Sequence, residues 1–173
     1  MTTKYKTFMT NRSAFTLIEL LVVMAIIGIL VTVGLVSFRS SQARSRDAAR
    51  KSDLKQISSS LELYYSDHGK YPPSNLIVPG QEFTDGKTTY FKAIPEDPAG
   101  GLIYAYRNPD SPDNQKFQLY AHLENSEDIN CLPNLSGAPD CTNPQLPSST
   151  VPNCGSGSVC NFSVTSPNTN PTE

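Results

Sequence analysis

At 173 residues, with 38% hydrophobic residues and no tryptophan, the chain can build one modest core, which excludes two independently stable domains. The formal net charge of −2 conceals a basic start: Lys4, Lys6 and Arg12 fall within residues 1–14 without a single acid, so the remainder is more acidic than the whole. That balance excludes a general nucleic-acid binder, which carries a basic excess or a long basic face.

The first element is an apolar run from Phe15 to Phe38, 24 residues whose only ionisable side chain is Glu19. As a helix rising about 1.5 Å per residue it reaches roughly 36 Å, enough to cross a hydrocarbon core of about 30 Å. A secretory signal peptide is one alternative, since Ser41-Gln42-Ala43 offers a small-x-small cleavage site. Its apolar region is usually only about 7 to 15 residues, shorter than this run. A plain single-span anchor is the other alternative. Neither accounts for Glu19, because a carboxylate inside a span is costly and calls for a partner, unless it snorkels to the interface. Gly28 and Gly34 are either weak points in the helix, at about 1 kcal/mol each relative to Ala, or places of close helix packing.

The stretch from Ala14 through Phe15-Thr16-Leu17-Ile18-Glu19 to Val23 resembles the prepilin cleavage and methylation motif of type IV pilins and type II secretion major pseudopilins. The resemblance implies that a membrane-embedded prepilin peptidase cuts between Ala14 and Phe15 and methylates the new Phe15 amine. It also implies that Glu19, fifth in the mature chain, pairs with the Phe15 amine of a neighbouring subunit. Two charges that are each costly in lipid then become a device for registering subunits. The chain departs from the family by having Ala14 where Gly is usual, and by lacking any proline before Pro72. Arg39, Arg44, Arg46, Arg50 and Lys51 follow the run and outnumber the basic residues before it. Positive-inside counting applies to short loops and not to a head this long, so the motif decides the orientation, with the leader cytoplasmic. The implied location is the bacterial inner membrane and then a surface pilus or periplasmic pseudopilus. The implied partners are the peptidase, identical and related subunits, an inner-membrane assembly platform and membrane lipid.

Beyond the run, Leu54, Ile57, Leu61 and Tyr64 or Tyr65 recur at helical spacing and predict an amphipathic continuation that Gly69 and Pro72 stop. Among its charges, Arg44, Arg46, Arg50, Lys51 and Lys55 interleave with Asp47 and Asp53. That pattern reads as intersubunit pairs, headgroup contacts or a solvated face rather than a DNA-binding stripe. Lys70-Tyr71-Pro72 resembles the helix exit of the pseudopilins, and Ala93 to Pro98 with Gly100-Gly101 and Ile103 to Tyr106 resembles the approach to their first strand. Without that resemblance, Leu102 to Arg107 and Lys116 to Leu123 are strand candidates. Phe117, Leu119, Ala121 and Leu123 alternate onto one face of the second, and the turn residues Asn108 to Asn114 lie between. An antiparallel hairpin against the helix, with the tyrosines as core, is the expectation.

In the pseudopilins a loop after the last of these strands can hold calcium. The corresponding Glu124-Asn125-Ser126-Glu127-Asp128 has oxygen ligands without the glycines and reads better as a charged loop, so no cofactor is predicted. Cys131, Cys141, Cys154 and Cys160 include no C-x-x-C pair, which is poor for zinc and suits disulfides formed outside the cytoplasm. Three pairings are possible, and that of sequence neighbours is preferred. The Pro, Ser, Thr and Asn of the last part predict extended loops, with a loose tail after about Val164. His68 and His122 have no accompanying nucleophile motif, so no catalytic residue is assigned.

The expected fold is α+β: a long N-terminal helix packed against a small antiparallel sheet, with a loop-rich, disulfide-braced C-terminal region. Its segments are a leader at 1–14, an apolar helix at 15–38, its amphipathic continuation at 39–68, a head at 69–130 and a cysteine-bearing end at 131–173. The expected function is that of a processed filament subunit. The competing one is a non-polymerising, membrane-tethered binding or enzymatic domain in which Glu19 is incidental.

Overall fold

The computed structural model describes residues 15–147 and 152–173, with the side chains of 33–37 left aside. The leader, Ala14 and the side-chain setting of residue 34 therefore lie outside the described residues. The fold is α+β. Among the described residues, one helix, α1 (Leu17–His68), is followed by a 3-10 turn at Ser74–Leu76 and five short strands. These are β1 (Phe83–Thr84), β2 (Thr89–Phe91), β3 (Ala105–Arg107), β4 (Gln118–Ala121) and β5 (Phe162–Thr165). The chain divides within α1 into a unit ending at Arg39 and a unit Ser40–Glu173.

In the second unit, α1 ends where the sequence predicts. Gly69 takes φ 67° and donates its N–H to the Tyr65 carbonyl at 2.8 Å, closing the last turn in a conformation that favours glycine. Leu54, Ile57, Leu61 and Tyr64 form one buried stripe against Tyr71, Phe83, Ile94, Tyr104, Phe117, Leu119 and Ala121. The sheet order is β3-β4-β5, antiparallel throughout. β3 and β4 are the expected hairpin but are shorter than the sequence suggested, because flanking backbone groups bond elsewhere. The Ile103 N–H donates to the Cys154 carbonyl at 2.9 Å, and the Leu123 N–H to Asn161 Oδ1 at 2.6 Å.

As the alternation predicts, Phe117, Leu119 and Ala121 share the core against α1, while Leu123 packs with Cys131 and Cys141, and all four residues of β4 are buried. Its second face carries Tyr120, which packs with Leu132, Cys154 and Cys160. The C-terminal region covers that face, so polar Gln118 is enclosed along with its apolar neighbours. The stretch after Val164, expected as a loose tail, is bonded to the head in the structure. After β5, the Ser166 N–H donates to the Phe117 carbonyl at 3.1 Å and the Tyr120 hydroxyl to the Pro171 carbonyl at 2.6 Å. Gln118 Nε2 reaches the Asn170 carbonyl, and Lys116 pairs with Glu173 at 2.7 Å. Composition had signalled disorder because these attachments are hydrogen bonds to backbone carbonyls and one ion pair, which leave no apolar period in the sequence.

Asn161 joins the two halves of the head. Fully buried, it donates from Nδ2 to the carbonyls of Leu123 and Cys141 at 3.0 Å each, while its own carbonyl accepts the Leu132 N–H at 2.7 Å. The disulfides pair sequence neighbours, Cys131 with Cys141 and Cys154 with Cys160. The remaining pair of strands, β1 and β2, turns on Asp85-Gly86. There Asp85 Oδ1 accepts the N–H groups of Lys87 and Thr88 at 2.8 and 2.7 Å.

Because Leu61 is wholly buried between α1 and the sheet, Leu61→Ala is expected to lower head stability by about 2 to 5 kcal/mol in urea unfolding of the purified protein. A change below about 1 kcal/mol would mean that this stripe is not the centre of the core.

Candidate functional site

Two constellations merit description, one in each unit. In the first, Thr16 and Glu19 cap the start of α1 reciprocally. The Glu19 N–H donates to Thr16 Oγ1 at 3.3 Å, while Glu19 Oε2 accepts the Thr16 N–H at 2.8 Å and the Thr16 hydroxyl at 2.7 Å. This is a capping box, in which two otherwise orphaned backbone donors are satisfied at once. The signal was available in Thr16-Leu17-Ile18-Glu19, a Thr-x-x-Glu before an apolar run, and the reading of Glu19 by its charge alone missed it.

Around the box the helix is apolar on every side. Phe15, Leu17, Ile18, Leu20, Leu21 and Met24 are all exposed, Leu17 to 88%. A helix apolar all round needs an apolar environment or partner helices to cover it. Phe15, Ile18, Glu19, Val22 and Val23 line one shallow groove, so the carboxylate sits within an otherwise hydrocarbon surface. Among the described residues no helix is long and apolar enough to cross a membrane.

The second constellation gathers the basic cluster of α1. Arg50 is fully buried. Its guanidinium binds Asp97 through Nε and Nη2 at 2.8 Å each, Asp47 through Nη1 at 2.7 Å and Glu124 through Nη2 at 2.8 Å. Arg46 also pairs with Glu124, and Lys51 with Asp128 at 2.6 Å. Asp47 accepts the backbone N–H groups of Glu124 and Asn125 at 2.9 and 2.8 Å. Beside them, the Tyr104 hydroxyl donates to Asp53 at 2.7 Å.

The electrostatics follow from these contacts. Burial opposes the charge on Arg50, but the carboxylates of Asp97, Glu124 and Asp47 outweigh it and raise its pKa. Bonds from Arg46, reinforced by Arg50 and resisted by burial, draw Glu124 down to about 2. Burial also works against charge on Asp128, yet bonds from Lys51 and Asn130 keep it below the ordinary range. Tyr104 is pushed up, first by burial and then by Asp53.

The expectation that this basic stripe faces other subunits, headgroups or solvent is therefore overturned for Arg46, Arg50 and Lys51. Their partners lie within the same head but are far away in sequence, which pattern reading along one helix does not detect. Arg44 and Lys55 do remain exposed. In the loop considered for calcium, Glu124 and Asp128 are engaged by fixed cations, and among the described residues no three His, Cys, Asp or Glu side chains gather as a metal site. The histidines face backbone carbonyls, His68 that of Tyr64 at 3.2 Å and His122 that of Val159 at 2.7 Å.

The prokaryotic N-terminal methylation motif matches residues 9–35, and the type II secretion system protein G family matches residues 37–127. The chain is similar to type II secretion system core protein G of Pseudomonas aeruginosa, with 31% identity over 64% of this chain and 82% of that one. It is 33% identical to a fimbrial protein of Neisseria meningitidis over 65% of this chain and 67% of the relative. It is 30% identical to a type IV major pilin protein of Neisseria gonorrhoeae over 66% of this chain, spanning 55% of that relative's length. No solved structure matches. With a methylation motif at its start and a protein G region over more than half its length, the chain belongs to the family of type II secretion protein G and the type IV pilins.

Proposed function

We propose that the protein is a structural filament subunit, cleaved between Ala14 and Phe15, methylated on the Phe15 amine and assembled through its apolar helix. Before assembly the helix resides in the bacterial inner membrane with the leader cytoplasmic and the head outside. The observation that carries the reading is a helix start exposed and apolar on all sides, with Glu19 as its single carboxylate. Apolar neighbours bury such a surface, and a cation is required to neutralise its acid. In the capping box both Thr16 bonds fall on Glu19 Oε2, which leaves Oε1 to receive the Phe15 amine of an adjoining subunit. Glu19 thus holds its own helix start and registers the next subunit with different oxygens. Prepilin peptidase and an inner-membrane platform are the partners this route requires. The head forms the outer surface of a pilus or a secretion pseudopilus.

The loop at Glu124 to Asp128 has its place in this reading as a joint braced by fixed cations, and we propose that it needs no divalent cation. Glu124 lies near 2 in the fold against an ordinary 4.5. A lowered carboxylate contributes stability that is complete above the unfolded value and is lost as pH falls through the folded one.

Three outcomes are expected. Intact mass and N-terminal sequencing of protein from native membranes or sheared filaments should give a chain starting at Phe15 with one added methyl. A start at Arg44 would make it a secreted protein, and an uncut Met1 a simple tether. Glu19→Ala should abolish filaments seen by electron microscopy while membrane insertion persists, whereas filaments in normal number would refute intersubunit pairing. Finally, the melting temperature should fall between about pH 4.5 and about pH 2, less steeply in Glu124→Gln, and at neutral pH should be the same in EDTA as in calcium. A large loss in EDTA would restore a metal to the loop.

A further inference from the structure

The chain contains three Asn-x-Ser/Thr triplets without proline at the middle position: Asn11-Arg12-Ser13, Asn134-Leu135-Ser136 and Asn161-Phe162-Ser163. This triplet is the acceptor for N-linked glycan when it lies on the surface of an exported protein. The structure separates its three occurrences. The first belongs to the leader, outside the described residues. Asn161 is 1% exposed, and both hydrogens of its Nδ2 are taken by the Leu123 and Cys141 carbonyls, so its amide nitrogen is sealed in the head.

Asn134 is presented in the opposite manner. It lies in the loop closed by the Cys131–Cys141 disulfide, at the base of a turn bridged at Pro133 and Pro139. Leu135 at the turn's tip is 89% exposed, and Ser136 to Pro139 are exposed with it. The triplet is folded on itself, with Asn134 Oδ1 accepting the Ser136 N–H at 2.9 Å and the Ser136 hydroxyl at 2.6 Å. Gly137, at φ 86°, lets the chain turn back so that the Asn134 N–H reaches the Ala138 carbonyl at 2.8 Å. These bonds fall on the carboxamide oxygen and the backbone. Among the described residues, Nδ2 has one long contact, 3.4 Å to Asp140 Oδ2.

We propose that Asn134 is an N-glycosylation site, modified by a transferase that uses a polyisoprenyl-diphosphate-linked sugar. Asn134 Nδ2 forms a bond to the anomeric carbon of the sugar, and the bond from that carbon to the diphosphate oxygen breaks. The bonding pair leaves with the polyisoprenyl diphosphate, and one Nδ2 proton passes to a base of the transferase. No oxidation or reduction is involved. The proposal rests on the extracytoplasmic placement of the head given by the proposed function, the compartment in which its two disulfides can form.

The test is peptide mapping by mass spectrometry, without reduction, of the protein purified from its native cells. The expected result is a saccharide mass on the peptide containing Asn134, located on that residue by fragmentation, with both disulfides formed. Asn134→Gln should remove the saccharide and Ser136→Thr should retain it, with disulfides intact in both. A bare Asn134 in chains that are cleaved at Phe15 and fully oxidised would overturn the glycan alone. Free thiols at Cys131 and Cys141 in uncleaved chains would overturn the placement of the head and the glycan with it. A saccharide on Ser136 that survives Asn134→Gln would also refute the proposal, since the acceptor would be the hydroxyl.

Discussion

A guanidinium with no access to water has to be met by carboxylates, and in this head that requirement falls on Arg50. A buried charge that loses its partners costs several kcal/mol, so the side chain tolerates only a fold in which those partners have arrived. They come from Asp47 one turn away, from Asp97 before the sheet and from Glu124 after β4. Two segments distant in sequence thus become neighbours of one helical turn. The apolar stripe from Leu54 to Tyr64 is buried against the sheet, but apolar surfaces can slide past one another. The bidentate contact of Arg50 with Asp97 fixes direction as well as proximity.

What could be read in the sequence is what local chemistry determines. The extent of α1, its stop at Gly69, the buried stripe and the β3–β4 hairpin all follow from periodicity and turn residues within short windows. The partners of Arg46, Arg50 and Lys51 did not, because Asp97, Glu124 and Asp128 are brought to them by the path of the chain and not by helical spacing. β5 was hidden for a related reason: Phe162 to Thr165 is only half-buried and its apolar content is slight, while the residue that seats it, Asn161, is polar. Two signals were legible and passed over. Asp85-Gly86 between Phe83 and Tyr90 announces the β1–β2 turn, and Thr16 with Glu19 announces the cap of α1.

That cap gives Glu19 a dual character. A carboxylate in an apolar segment invites explanation by partners elsewhere, yet its immediate neighbours already include Thr16. The local bonds to Thr16 fall on Oε2, so they are compatible with the pairing proposed for Oε1. The apolar surface around it and the braced head respond to different conditions, the first to an apolar environment and the second to acid.

The disulfides close small rings, spanning 10 residues between Cys131 and Cys141 and 6 between Cys154 and Cys160. Short rings remove little freedom from an unfolded chain compared with long ones, so their contribution to overall stability is modest. Their locality has another effect. Each cysteine finds its partner within its own stretch of chain, whereas the other two pairings would have to join the separate stretches. Oxidation is therefore largely independent of how the strands are ordered, and correct bonds can form on a chain emerging in either state of folding. The covalent links set the shape of two loops, and the topology of the sheet is left to ion pairs, hydrogen bonds and burial.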